Sequence, residues 1–439
     1  MKRAALILVT TLAVCIPLAA QRGTTTSSKP LQVYVVDTEG GKAALWISPT
    51  GQSLLIDSGN PGNRDGDRIM AAINDAGLKQ IDFLISTHYH VDHIGGMLEL
   101  AKRIPIAHFI DHGPTVEERE QVAGFQAAYA ELYGKAKHTV VKPGDKVPIT
   151  GLDWRIVSAA GSVLKTPLPG GGKPNPACAG VAPKEASATD ENAMSVGSLI
   201  TFGQFRAIDL GDLVWAKEYE LVCPNNPVGT IDAFFVTHHG LDASNTPALV
   251  HGVEPRVAIM QNGTRKGAGA ETMPTMRTSP GLEDIWQLHW SYNAGIEQNS
   301  AGVFLANVDD NATIAGILTA PPRGGGPGGR GAASGQAPGG APAGPPTTTP
   351  PPATAPAVVG TPPAATPGAA GAPPQAPPGG GGGRGGPGAA AAAHTPAYWI
   401  KLTATPDGTI TVTNSRNGFM KTYKKGSGLT AQGSGRRSQ

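Results

Sequence analysis

Residues 86–96 read Ser-Thr-His-Tyr-His-Val-Asp-His-Ile-Gly-Gly and hold three histidines and an aspartate within six positions. The apolar run Ile81-Asp-Phe-Leu-Ile85 in front of them has the character of a short strand covered on both faces. At the end of such a strand His88 and His90 point the same way, because side chains alternate with a period of two. The chain then turns into a helix near Ile94, with Gly95 and Gly96 permitting tight packing, so Asp92 and His93 approach from a different direction. Two imidazoles are thereby placed for one metal ion, and a carboxylate and an imidazole for a second. A polar surface turn is the plain alternative, but this set of side chains at this spacing rarely arises by chance.

Outward from the motif, strand and helix patterns alternate. Residues 31–36, 42–48 and 53–59 read as strands, the last ending at Gly59. Asp67 to Ala76 has the spacing of an amphipathic helix closed by Gly77. Residues 97–103 and 115–137 read as helical, and 106–111 as a strand. Residues 161–190, rich in Gly, Pro and Ala, form a long loop. Strands resume at 195–202, 205–212, 231–240 and 256–263. This alternation predicts an α/β fold, with sheet layers covered by helices.

The composition is uneven: of 439 residues, 60 are Gly and 40 Pro. Residues 319–395 take much of that excess and are almost wholly Pro, Gly, Ala, Thr and Ser, which predicts a disordered insertion unable to bury a core. Arg-Gly runs inside it are similar to RNA-binding tails, but the composition favours an exported spacer. Order is expected again at 396–425, where two alternating runs flank Pro406-Asp407-Gly408 in a hairpin pattern. A lone hairpin is barely stable, so it is expected to dock on the main domain at 31–318.

Residues 1–20 have the pattern of a signal peptide, with Lys2 and Arg3 before an apolar core and a small-residue end. The apolar run is too short to favour a spanning helix, and no later segment has the length to span a bilayer. Val14 stands where a lipoprotein signal has a small residue before Cys15, so the expectation is export without lipidation, to the periplasm or outside the cell. Without Lys2 and Arg3, 33 basic residues face 33 acidic ones, and no basic patch calls for a nucleic-acid partner. Cys178 and Cys223 are isolated and flanked by prolines; they suit a disulfide in an oxidising compartment better than a metal.

The His-X-His-X-Asp-His pattern resembles the signature of the metallo-β-lactamase superfamily. That resemblance implies a four-layer αβ/βα sandwich with two divalent metals at one edge of its sheets. It extends to Leu-Leu-Ile-Asp57-Ser-Gly, where Asp57 would orient a ligand histidine, and to Ala-Ile-Asp-Leu-Gly-Asp212, where Asp212 would bridge the metals. Phe-Phe-Val-Thr-His238-His239-Gly would supply the last ligand, with His239 favoured over His238. The implied ligand set is therefore His88, His90, Asp92, His93, Asp212 and His239 or His238.

Within the superfamily the chain is most similar to the hydrolase domain of ComEC-type DNA-internalisation proteins, without their membrane channel. As in that group, Asn192 stands where most members have a further metal-binding histidine. An amide oxygen in place of an imidazole makes the shell richer in oxygen, so zinc is the expected metal and manganese its rival. The resemblance departs at Glu39-Gly-Gly-Lys42 and in residues 262–280, loops that contact substrate in the family. Arg265 and Lys266 lie there, and an ordinary solvated loop is the favoured reading for them. His108, His112, His138, His251, His289 and His394 are read as structural or surface residues.

Together these features imply an exported hydrolase that uses a metal-activated hydroxide, with Asp92 orienting it and Asp212 placing the metals. Phosphodiesters are the expected substrates. A lactonase or β-lactamase-like amide or ester hydrolase is the alternative, and a non-catalytic metal-containing binding protein a third. Substrate identity, the choice of metal and the oligomeric state are left open by the sequence.

Overall fold

The computed structural model describes residues 29–293, 295–309 and 394–425. The signal pattern at 1–20 and all but the last two residues of the insertion at 319–395 lie outside them. The chain begins with an antiparallel meander of β1 (Leu31–Val35), β2 (Ala44–Ile47) and β3 (Ser53–Ile56). Helix α1 (Asn63–Asp75) carries it to β4 (Phe83–Ile85), and α2 (Val91–Ile94) with α3 (Met97–Ala101) to β5 (His108–Asp111). Helix α4 (Glu120–Tyr133) then leads to β6 (Lys137–Val140). Strands β3 to β6 are parallel, which is why helices must return the chain between them.

The second half runs through β7 (Lys146–Val147), β8 (Asp153–Ala159), β9 (Ser162–Val163) and β10 (Lys173–Pro174), then β11 (Gly197–Phe202) and β12 (Phe205–Asp209). Helix α5 (Trp215–Val222), β13 (Asn225–Asn226) and β14 (Ala233–Phe235) follow, then α6 (Pro247–Val253), β15 (Val257–Met260), α7 (Thr272–Arg277), β16 (Asp284–His289) and β17 (Leu305–Asn307). After residue 393 come β18 (Ile400–Ala404), β19 (Ile410–Asn414) and β20 (Met420–Tyr423). One sheet has the order β20-β19-β18-β1-β2-β3-β4-β5-β6 and the other β17-β16-β15-β14-β12-β11-β8-β7, with β9 paired to β8.

Three apolar interfaces make this the four-layer sandwich. The middle one lies between the sheets, where Trp46 meets Trp154 at 5.2 Å and Phe235 at 5.0 Å between ring centroids. A second packs α1, α3 and α4 on the outer face of the first sheet through Ile69, Ile73, Met97, Leu100 and Tyr129. A third packs α5, α6 and α7 on the second sheet through Leu221, Leu249 and Met273. Each such fully buried side chain stabilises the fold by about 2 kcal/mol.

Several element ends differ from the sequence pattern. Helix α1 begins at Asn63, where the Asp65 carboxylate accepts the Asn60 backbone N–H at 2.6 Å and secures the first turn. Helix α4 starts only at Glu120, because Thr115 and Val116 before it are bonded to the buried Glu191. The loop at 161–190 is bolted down by a Cys178–Cys223 disulfide and by Asn175, whose amide donates to the carbonyls of Val222 and Ala248. At the C-terminal end the structure adds β20 to the two runs flanking Pro406-Asp407-Gly408. Strand β18 pairs with β1 from Leu31–Ala404 to Val35–Ile400, which places these strands in the first sheet. Among the described residues, no helix is long and apolar enough to cross a membrane.

Candidate metal centre

The C-terminal ends of parallel strands from both sheets converge at one edge, where open α/β sheets bind ligands. Asp57 follows β3, the histidine motif follows β4, Asp212 follows β12 and His238-His239 follows β14. Asp57 is fully buried in a left-handed backbone conformation (φ 58°). Its carboxylate accepts the Thr87 N–H at 2.8 Å, the Thr87 hydroxyl at 2.7 Å and Nδ1–H of His93 at 2.8 Å. That bond assigns the proton to Nδ1 and leaves the Nε2 lone pair of His93 facing inward. The carbonyl of Gln261 does the same for His239, accepting from Nδ1 at 2.9 Å.

Nε2 of His93 and Nε2 of His239 then face each other at 3.2 Å, and Asp212 Oδ2 lies 3.2 Å from both. Asp92 Oδ2 is 3.5 Å from His93 and 3.3 Å from His239. Four donor atoms, one each from Asp92, His93, Asp212 and His239, lie within 4.8 Å of one another. Lone pairs gathered so closely repel unless a cation or proton sits among them, so this donor set fits a divalent metal. Without one, burial opposes a charge on His93, but Asp212, Asp57 and Asp92 outweigh it and hold the imidazole well above its ordinary range. Burial likewise opposes ionisation of Asp212, yet His239, His93 and His238 hold its carboxyl well below the usual range.

His88 and His90 are not part of that four-donor set. They form a second convergence beside it, with His88 Nε2 and His90 Nδ1 3.0 Å apart. Burial, with His93 and His90 nearby, keeps His88 neutral well below its ordinary range. Two buried oxygens, Asn192 Oδ1 and Asp212 Oδ1, have no hydrogen-bond partner. Orphaned acceptors of this kind are costly in a protein interior and suit a cation. His238 has a different environment: Nδ1 meets Ser244 Oγ at 3.0 Å, and Nε2 is 3.5 Å from Asp212. Burial pushes His238 down to about 4.

His238 and His239 both adopt left-handed backbone angles, φ 53° and 57°. Such strain costs on the order of 1–2 kcal/mol per residue and persists where surroundings enforce it. Here the 263–269 loop is pressed against this turn: a Cβ on Gly267 would lie 1.8 Å from the His239 carbonyl oxygen. Gly269 N–H also donates to the Gly240 carbonyl at 2.8 Å. From this braced loop the Lys266 ammonium reaches the Asp92 carboxylate. That placement differs from the solvated loop the sequence favoured, because the contact spans 174 residues and has no local signature.

Other supports were likewise invisible in the sequence. Glu117 Oε1 stands 3.0 Å from Nε2 of His90, which leaves Nδ1 of that ring for a metal. Glu191 holds the 3-10 turn carrying Asn192 to the motif, meeting His112 Nε2 at 2.8 Å and the Tyr89 N–H at 3.1 Å. Lys42 and Asp209 form a buried ion pair of 2.7 Å.

Residues 37–173 match the sequence model of the metallo-beta-lactamase superfamily. The superfamily domain is thus shown over residues 37–173, which include Asp57 and the histidine motif. A hydroxyacylglutathione hydrolase of Klebsiella pneumoniae subsp. pneumoniae is 27% identical over 122 residues, 27% of this chain and 39% of that protein. A ribonuclease Z of Methanopyrus kandleri is 30% identical over 110 residues, 25% of this chain and 36% of that protein. The chain thus spans less than two fifths of the length of these relatives. A solved metal-dependent hydrolase of the β-lactamase superfamily is 12% identical and has a TM-score of 0.35, with 61% of this chain and 97% of that one covered.

Proposed function

We propose that the protein is an exported metal-dependent hydrolase acting on phosphodiester bonds. The observation that carries the reading is the four-donor convergence of Asp92, His93, Asp212 and His239 beside the His88–His90 pair. The superfamily domain and the hydrolases similar to it support the reaction class. The similarity to ribonuclease Z, and the ComEC-type resemblance of the motifs, support the phosphodiester. The Cys178–Cys223 disulfide supports an oxidising compartment and hence export.

His88 and His90 would hold one metal, with Asn192 adding an amide oxygen. Asp92, His93 and His239 would hold the second, and Asp212 would reach both. Divalent metals in these positions supply Lewis acidity, lowering the pKa of a water and stabilising charge that builds on the substrate. Zinc is the expected ion, with manganese as the rival because of the Asn192 oxygen. The protein's own contribution is orientation. Asp57, Glu117 and the Gln261 carbonyl each take the outward ring nitrogen of a histidine and so aim the inward one. Lys266, about one third exposed and beside Asp92, supplies a positive charge to an anionic substrate group.

Similarity to hydroxyacylglutathione hydrolase favours a second reading, hydrolysis of an ester or thioester. A panel of bis(p-nitrophenyl) phosphate, single-stranded DNA, a lactone and a thioester separates the two. Turnover of the phosphodiesters alone supports the proposal, and turnover of the acyl substrates alone replaces it. Stoichiometric metal with no turnover on any of them would instead indicate a binding protein.

A further inference from the structure

A second cluster of candidate metal-ligating side chains shares no residue with the centre described above. Asp37, Glu39, His289 and His394 each offer one donor atom, and the four atoms lie within 4.8 Å of one another. His289 Nε2 is 2.6 Å from Asp37 Oδ1 and 3.8 Å from Glu39 Oε2. His394 Nδ1 is 3.3 Å and 3.4 Å from the two Glu39 oxygens. Asp37 and His289 are almost wholly buried, and Glu39 is held in a left-handed backbone conformation at φ 52°.

Arg68 is part of the arrangement. Its guanidinium bonds Asp37 Oδ2 at 2.9 Å and Glu39 Oε1 at 3.0 Å. Asp37 thus gives Oδ2 to the arginine and turns Oδ1 toward His289, as a carboxylate ligand does when an outer partner orients it, while both Glu39 oxygens face His394. Asp309 adds a third carboxylate, 3.1 Å from His394 Nε2. Three carboxylates and two imidazoles share this largely buried volume with the Arg68 guanidinium, and their lone pairs repel unless a cation or proton sits among them. A cavity of about 330 Å³ lined by Asp37, Arg68 and His394 gives an ion a path to the cluster.

The position of the cluster suggests its use. Asp309 is the last described residue before residues 310–393, and His394 is the first after them. His394 thus bonds Glu39 of the main domain, and Asp309 lies against His394.

We propose that Asp37, Glu39, His289 and His394 bind one divalent transition-metal ion, in a structural site that fastens His394 to the main domain. Two imidazole nitrogens and two carboxylate oxygens are a donor set of the zinc class, in contrast to the all-oxygen shells of calcium and magnesium.

The test is the metal content of the full chain after loading with Zn²⁺ and gel filtration, measured for the wild type, His394→Ala and His90→Ala/Asp212→Ala. His394→Ala should hold one ion fewer than the wild type and keep its hydrolytic activity. The double variant should lose ions from the catalytic centre and keep this one, so the failure of either site is seen separately. Arg68→Gln, which removes the outer partner of Asp37, should bind this ion about tenfold more weakly in a competition titration and leave the catalytic ions unchanged. Equal metal content in the wild type and His394→Ala would overturn the proposal. So would loss of this ion from the His90→Ala/Asp212→Ala variant, since the cluster would then hold no ion of its own.

Discussion

Asp57 Oδ2 and Nδ1 of His93 stand 2.8 Å apart, both fully buried, and this one bond decides which nitrogen of His93 faces the centre. Asp57→Asn keeps the left-handed backbone angle, which asparagine tolerates, but exchanges a charged acceptor for an amide. Metal affinity should fall by roughly 10- to 100-fold, the usual effect of losing such a support. Competition titration with a chromophoric chelator reads this directly. An unchanged affinity would show that His93 is oriented by packing alone.

Glu117 plays the corresponding part for His90 at 3.0 Å. Glu117→Ala should weaken one of two bound ions by at least about tenfold and leave the other nearly untouched. The titration should then resolve two phases where the wild type shows closer affinities. A uniform loss of both ions would argue against separate His88–His90 and His93–His239 sites.

Lys266 lies next to Asp92, on a loop whose Gly263 N–H donates to the Lys266 carbonyl. Lys266→Ala should raise KM for an anionic phosphodiester about tenfold, close to the worth of one charge-assisted contact. Lys266→Arg should recover most of it. If kcat falls while KM is unchanged, the ammonium acts on the Asp92 carboxylate and not on substrate.

Glu218 is the clearest titrating group away from the metal centre. It is fully buried on α5, where it accepts the backbone N–H of Asn245 at 2.9 Å and of Thr246 at 2.8 Å. Burial outweighs those bonds and pushes it up from 4.5 to about 7. The folded carboxyl holds its proton more tightly than the unfolded one, so the stabilisation is complete below about pH 4.5 and is lost as the pH rises through 7. Glu218→Gln cannot ionise and lacks this slope. Denaturant unfolding between pH 5 and 8 should show the wild type losing on the order of 3 kcal/mol relative to the variant. A difference that stays constant with pH would contradict this.

The Cys178–Cys223 bridge closes 45 residues of chain, and its removal should cost about 2–4 kcal/mol. Cys178→Ser/Cys223→Ser should therefore unfold at lower denaturant while keeping its activity, because neither cysteine approaches the metal centre. Lost activity in a folded double variant would place the 161–190 loop in the reaction.

Features carried by a few adjacent residues were legible in the sequence. The alternation at 400–404 and 410–414, the glycine after α1 and the histidine motif behind Ile81–Ile85 are all local, and they led to the sandwich fold. The structure brings Asp92, His93, Asp212 and His239 together from motifs that could each be read in place. Glu117, Glu191 and the Lys42–Asp209 pair could not be read, because each works through a contact between distant segments and has no sequence signature. The Asp37–Glu39–His289–His394 cluster is assembled from three separate stretches of chain. Each of its histidines, taken alone, reads as an ordinary structural residue.

The central claim is that metals held by these side chains drive hydrolysis, and the most direct test is the rate of bis(p-nitrophenyl) phosphate cleavage by the Zn²⁺- or Mn²⁺-loaded protein and by its His90→Ala/Asp212→Ala variant. The wild type should turn the substrate over, and the variant should lose about a thousandfold or more. A variant as active as the wild type would contradict the claim.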